Sequence, residues 1–234
     1  RDIKALKDYI DSHKIEKAAV IGGGFIGVEV AENLSLAGIQ VSLVEGAPQI
    51  MAPFDYDVVQ TLHKEMMDNG ISLHLSSTLT EVLEDRILIR TQEETSEIKA
   101  DLVVMAIGVR PETALASAAG LTIGTTGGIW VNHNYQTSDP DIYAVGDAIE
   151  SFNRILRQPG RLALAGPAQK QARGAADHIY GKTNENPGFI GSSCIRIFGQ
   201  NAACTGINER TARDCGISCD FAYVYPTDKV SLMP

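Results

Sequence analysis

The sequence predicts an α/β fold built on a parallel sheet. Three observations carry that prediction. A strand, turn, helix and second strand follow one another between Lys17 and Val44, the order of a βαβ unit of about thirty residues. The turn reads Gly22-Gly23-Gly24-Phe25-Ile26-Gly27. The composition is that of an ordinary globular chain, with 234 residues of which 44% are apolar, 21% charged and 6% aromatic. Such a composition excludes disorder, collagen-like repeats and a coiled coil. The length allows one large domain or two modest ones, each burying its own core. Twenty Lys+Arg against 29 Asp+Glu give a net charge of −9, which suits neither nucleic acid nor an anionic membrane surface. The longest apolar runs, such as Leu102 to Val109, are strand-sized and far short of the roughly 18 residues of a membrane span.

The elements follow in order. Asp2 to Ser12 has helical spacing, with Ile3, Leu6, Tyr9 and Ile10 on one side. Lys17 to Ile21 is an apolar strand that ends in the glycines. Phe25 to Ala37 has Ile26, Val30, Leu34 and Ala37 at helical spacing, and Gly38 stops it. Ile39 to Val44 is a β-branched strand. Tyr56 to Asp68 reads as a helix closed by Asn69-Gly70. Short strands are expected near Ile71–Leu75, Thr80–Leu83 and Ile87–Thr91, with Gln92 to Glu97 as a polar hairpin tip. Leu102 to Ile107 reads as a buried strand, and Gly108 to Pro111 as a boundary. Residues 112–150 are Gly-rich, with an alternating stretch at Ile129-Trp130-Val131. Ser151 to Arg161 reads as a polar loop before a helix from about Pro167 to Tyr180. Gly181 to Gly188 is a linker by composition. Cys194–Phe198 and Ala202–Gly206 flank Gly199-Gln200-Asn201 as a hairpin.

The glycine turn carries chemistry. Gly22 allows the tight turn, Gly24 lets the backbone approach a pyrophosphate, and Gly27 lets the helix pack on the sheet. The helix N-terminus supplies N–H groups and partial positive charge for that pyrophosphate. Glu45 ends the second strand, where it can accept hydrogen bonds from the adenosine ribose. A charged acceptor is worth about 1.5–3 kcal/mol per bond. The same carboxylate repels an additional phosphate on that ribose, by about 4 kcal/mol at 4 Å and an effective dielectric of 20. Gly46, Ala47 and Pro48 follow with no Arg among them, so NAD(H) is favoured over NADP(H).

Four longer strings place the chain further. They are Ala19 to Glu29, Ala106 to Pro111, Thr137 to Asp147 and Leu164 to Arg173. Together they resemble the pyridine nucleotide-disulfide oxidoreductases, in the branch of coenzyme A-disulfide reductases, NADH oxidases and NADH peroxidases. The resemblance implies a Rossmann-like NAD domain in three layers over residues 1–111. The returning half of an FAD domain follows over 112–186, and the start of an α+β dimerisation domain over 187–234. It implies that Asp147 accepts a hydrogen bond from the flavin ribitol, and that the helix opening at Gly166-Pro167 points at the flavin. Ala165 and Gly166 match backbone positions that meet the flavin, and Gly108 and Ala163 positions at the nicotinamide end. Phe25 stands where relatives often carry a Tyr that lies over the flavin, with Ile26 beside it in the motif. Glu29 matches a Glu near the flavin–nicotinamide contact.

The implied activity is hydride transfer from NADH to FAD, then electron transfer to a disulfide, persulfide, peroxide or oxygen. The other readings are an FAD-dependent ferredoxin or rubredoxin reductase, and a non-catalytic NAD-binding module. The family's first Gly-rich turn and its redox cysteine belong upstream of Lys17. The ends, at Arg1 and at Ser231 to Pro234, read as cut. The chain is therefore expected to be an inactive fragment of a cytoplasmic, homodimeric enzyme, with no catalytic residue of its own. Cys194, Cys204, Cys215 and Cys219 read as reduced thiols, and the five histidines show no metal-ligand spacing. Pro226 to Pro234 departs from the family's His-Ala-x-Tyr-Tyr-Pro-Gly stretch, which weighs against coenzyme A disulfide reduction.

Overall fold

The structure, a computed structural model, describes residues 2–182 and 186–225. The departure at Pro226 to Pro234 lies outside the described residues, as does the middle of the expected linker. Strand β1 (Lys17–Ile21) is the centre of a parallel sheet. Strand β2 (Gln40–Val44) and then β3 (Ser72–His74) lie on one side of it, and β7 (Leu102–Met105) on the other. Ala18 to Ile21 are all buried, because a parallel strand is covered on both faces and its side chains alternate between them. Ala18 and Val20 join a core with α2 (Phe25–Leu36) and α3 (Tyr56–Asp68). Ala19 and Ile21 join a second core with the antiparallel strands β4 (Thr78–Val82), β5 (Arg86–Arg90) and β6 (Thr95–Lys99). Three layers result. Helix α1 (Asp2–Ser12) packs Ile10 against the first core.

Helices α2 and α3 close in the same way. Gly38 and Gly70 take φ of +84° and +83°. The amides beyond them reach back, Ile39 N–H to Leu34 O and Ile71 N–H to Met66 O, which satisfies the last carbonyls.

Beyond residue 111 the backbone is less regular. It runs through α4 (Ala114–Ala118), isolated bridges, a 3₁₀ turn at Gly146–Ala148, and α5 (Ala165–Ile179). Tyr135, Ile149 and Ala175 form its core. Strands β10 (Ser192–Ile197) and β11 (Gln200–Thr205) then pair as a hairpin, followed by α6 (Glu209–Asp214). The buried Ile195 and Ile197 belong to the first core, beside α2 and α3.

Several expectations are corrected. The tip of the β5–β6 hairpin is Thr91–Glu94, and Thr95 to Glu97 are already strand. Strand β6 is half exposed, so its outward positions tolerate Thr95, Glu97 and Lys99. The supposed polar loop of Ser151 to Arg161 contains the ribbon β8 (Ser151–Asn153) and β9 (Gln158–Gly160). Asn153 Oδ1 makes its turn by accepting from Ile155 and Leu156 N–H. The C-terminal hairpin turns at Phe198-Gly199, since Ile197 pairs with Gln200. Strand β7 stops at Met105, short of Ile107, and α5 starts at Ala165, ahead of Pro167.

Candidate functional site

A cleft of about 560 Å³ opens at the C-terminal ends of β1, β2 and β7. That is where the strand order reverses, the usual position of a ligand on an open α/β sheet. Gly22, Gly24, Glu45 and Gly108, all singled out in the sequence, line it. The turn is built as its chemistry requires. Gly22 takes φ +109°, and a Cβ there would lie 2.4 Å from Ala106 O. A Cβ on Gly27 would lie 1.8 Å from Gly22 O, so helix and turn touch through backbone. A Cβ on Gly24 would meet nothing within 4 Å. The close approaches at Gly22 and Gly27 are internal, and the space over Gly24 is open to a ligand. Helix α2 has no side-chain cap and no acid in its first turn, which keeps its positive end available to an anion.

Glu45 is held at the mouth of the turn. Its Oε2 accepts from Gly23 N–H at 2.6 Å and its Oε1 from Ala47 N–H at 2.7 Å. Each carboxylate oxygen retains an acceptor site for a hydroxyl donor. Its backbone is fixed too, through Glu45 N–H to His74 O and Ser77 N–H to Glu45 O. At the far end, Met105 and Ile107 expose apolar surface beside Gly108, which takes φ +102°.

The segment from Ala47 to Phe54 forms the cleft's outer wall, through Gln49, Met51 and Ala52. Met51 N–H donates to Gly23 O at 2.7 Å, which ties wall to turn. Behind the wall the buried His63 accepts from Ile50 N–H through Nε2. Burial holds the His63 imidazole below its ordinary pKa, consistent with a neutral ring that accepts there. None of these wall contacts was singled out in the sequence, and only the position of the segment just after Glu45 signals it.

The other residues lie elsewhere. Phe25 packs against the first core, and Ile26 and Glu29 are exposed on the helix leaving the turn. Asp147 is exposed in the 3₁₀ turn, and Ala163, Ala165 and Gly166 are exposed at the start of α5. The turn is seated on α5, because Gly146 N–H donates to the Oε1 of the buried Gln171 at 2.6 Å. Gly146 takes φ +80°, and α5 also starts without a side-chain cap. Gly166 borders a second hollow of about 450 Å³, along with Pro167, Lys170 and Gln171. Among the described residues, no cluster of metal-ligating side chains is present.

Residues 1–172 match the pyridine nucleotide-disulphide oxidoreductase family. The chain belongs to that family. Similar members include the NAD(P)H coenzyme A polysulfide/persulfide reductase of Pyrococcus horikoshii, 30% identical over 100% of this chain and 52% of that protein. Among solved structures, the reduced CoADR-RHD of Bacillus anthracis is 40% identical with a TM-score of 0.89, over 93% of this chain and 39% of that one. The water-forming NADH oxidase from Lactobacillus brevis bound to NADH is 26% identical with a TM-score of 0.81, over 92% of this chain and 47% of that one. The chain spans about half the length of the Pyrococcus relatives it matches. In this chain the cleft at Gly22 and the α5 turn at Gly146 are nucleotide-site candidates, each built on its own core.

Proposed function

We propose that this chain is part of an NADH-dependent flavoprotein oxidoreductase. It contributes the NADH cleft and the returning half of an FAD site. The observation that carries the reading is the Glu45 carboxylate held 2.6 Å from Gly23 N–H beside the open space over Gly24. An anionic diphosphate fits over the turn, and the sugar next to it meets a fixed carboxylate. The flavin assignment is supported by the positive-φ turn at Gly146, the exposed Asp147 and the uncapped start of α5.

Bound together, the two cofactors supply hydride transfer from NADH to FAD and onward delivery of electrons. The chain's residues bind and orient. Gly22, Gly24 and Gly27 shape the diphosphate cradle, Glu45 fixes the ribose, and Gly108 admits the nicotinamide end. Gln171 positions the turn that carries Asp147, Ala165 and Gly166 offer amides at a helix N-terminus, and Ala163 precedes them. Phe25, Ile26 and Glu29, at the start of α2, are assigned to the flavin–nicotinamide end on the family resemblance. Proximity is the chain's main catalytic contribution. The acceptor we favour is a disulfide or persulfide sulfur, peroxide or oxygen, in a cytoplasmic homodimer. The polysulfide/persulfide reductase and NADH oxidase names of the relatives support that range. Among the described residues no helix is long and apolar enough to cross a membrane.

Anaerobic titration of the whole protein with NADH and with NADPH tests the reading. NADH should bleach the oxidised flavin band stoichiometrically, at lower concentration than NADPH. A protein that purifies without flavin, or that binds NADPH more tightly, overturns it.

A further inference from the structure

The outer wall of the cleft is held by a segment 154 to 156 positions further along the chain. Asn208, the residue before α6, is 7% exposed and all of its side-chain groups are engaged. Its Oδ1 accepts from Thr211 N–H at 2.9 Å and caps α6. Its Nδ2 donates to Ala52 O at 2.9 Å and to Phe54 O at 3.1 Å. Phe54 O also receives Gln49 Nε2 at 2.9 Å. Glu209 N–H donates to Asp55 Oδ1 at 2.8 Å, and Arg210 Nη2 to Ala52 O at 3.2 Å. The wall needs such support. Met51, buried at its middle, takes φ +50°, a left-handed conformation that a non-glycine residue holds only when its surroundings fix it. A second fastening lies nearby, where Glu32 Oε1 accepts from Phe198 N–H and Glu65 Oε1 from Gly199 N–H.

We infer that Asn208 is a positioning residue for the pyridine nucleotide: its amide ties α6 to the Ala52–Phe54 wall, so that NADH affinity depends on docking of the C-terminal segment. The inference rests on the proposed NADH cleft. It assigns a role in binding to a residue that does not itself line the cleft but holds Ala52, which does. The side chain works in both directions, since one oxygen organises α6 while one nitrogen grips two carbonyls of the wall. An oxygen in place of that nitrogen would face Ala52 O and Phe54 O with no hydrogen to share.

Asn208→Asp and Asn208→Ser in the whole protein separate the two halves of this role. Both residues cap helices as well as Asn does, so α6 persists, and neither can donate to both carbonyls. Titration of the dithionite-reduced protein with NADH, followed by protein fluorescence, should show Kd raised about tenfold in each, the scale of one or two neutral hydrogen bonds. The change should fall on KM for NADH and leave kcat at saturating NADH and the flavin content at wild-type levels. A merely structural role would move thermal stability and flavin content together with affinity. If one variant fails to fold, the other carries the test. Wild-type protein that binds NADH while both folded variants bind it equally well overturns the inference alone. Wild-type protein that binds no NADH overturns the cleft reading and the inference with it.

Discussion

Gly24→Ala tests the diphosphate cradle without disturbing the fold that presents it. At φ −78° and ψ −175° the backbone of Gly24 is open to any L residue, and the new methyl would meet no atom within 4 Å. Alanine is a poorer helix cap than glycine, but it also lowers the entropy of the unfolded chain. The two effects are opposite in sign and leave stability within about 1 kcal/mol of wild type, a Tm change of no more than about 4 °C for a chain of this size. Binding should respond very differently. The methyl occupies the space over the turn and displaces a diphosphate from the amides. Loss of one charge-assisted hydrogen bond, about 1.5–3 kcal/mol, weakens NADH binding about tenfold to a hundredfold. Gly27→Ala is the opposite control. Its Cβ would lie 1.8 Å from Gly22 O, so the helix must back away from the turn, at about 1–3 kcal/mol or more of stability. Calorimetric titration with NADH and a thermal melt of both variants complete the assay. A Gly24→Ala protein that binds NADH as tightly as wild type refutes the cradle.

Three further outcomes are expected. Glu45→Gln removes the charge and turns one NH₂ against a backbone amide, so NADH should weaken about tenfold while the NADPH-to-NADH affinity ratio rises at least about tenfold; paired titrations check this, and an unchanged ratio removes Glu45 as the discriminator. His63 and His74 are both held below the ordinary value of 6.5 by burial. Above that pH both are neutral whether folded or not, and below it the unfolded chain takes up protons first, so stability falls as pH drops; melts between pH 7.5 and 5 should show a declining Tm, with a shallower slope in His63→Gln. Asp147→Ala should purify from the whole protein with about a tenth or less of the wild-type flavin, since a charged hydrogen bond is lost; the flavin-to-protein absorbance ratio reads it directly.

The glycine turn and the elements around the parallel sheet were largely legible in the sequence. Strand β1 is buried on both faces and therefore reads as an apolar run, and helix Tyr56–Asp68 is bounded by an Asp and an Asn-Gly pair. Gly22 to Gly27 and Glu45 were legible because their chemistry depends on residue type and order. The ribbon Ser151–Gly160 was not, because both of its strands are short and partly exposed, and no period-two apolar pattern marks them. Helix α6 was missed because Asn208 reads as an ordinary polar residue until Thr211 and the Ala52–Phe54 carbonyls are brought to it. Gln171 is similar, since only the fold reveals that it seats the turn at Gly146. Contacts across 25 or 154 positions leave no local signature.

Ile197 fills a place in the first core that α2 and α3 cannot fill themselves. Phe198 reaches Glu32 across 166 positions of chain. On the ribosome the first core is therefore expected to lack Ile195 and Ile197, and to show an apolar gap, until the hairpin is synthesised. Through that interval the nascent polypeptide is expected to be prone to aggregation. Truncation before Ser192 should make the open interval permanent, and the product is expected to collect in inclusion bodies, although its nucleotide turn is complete.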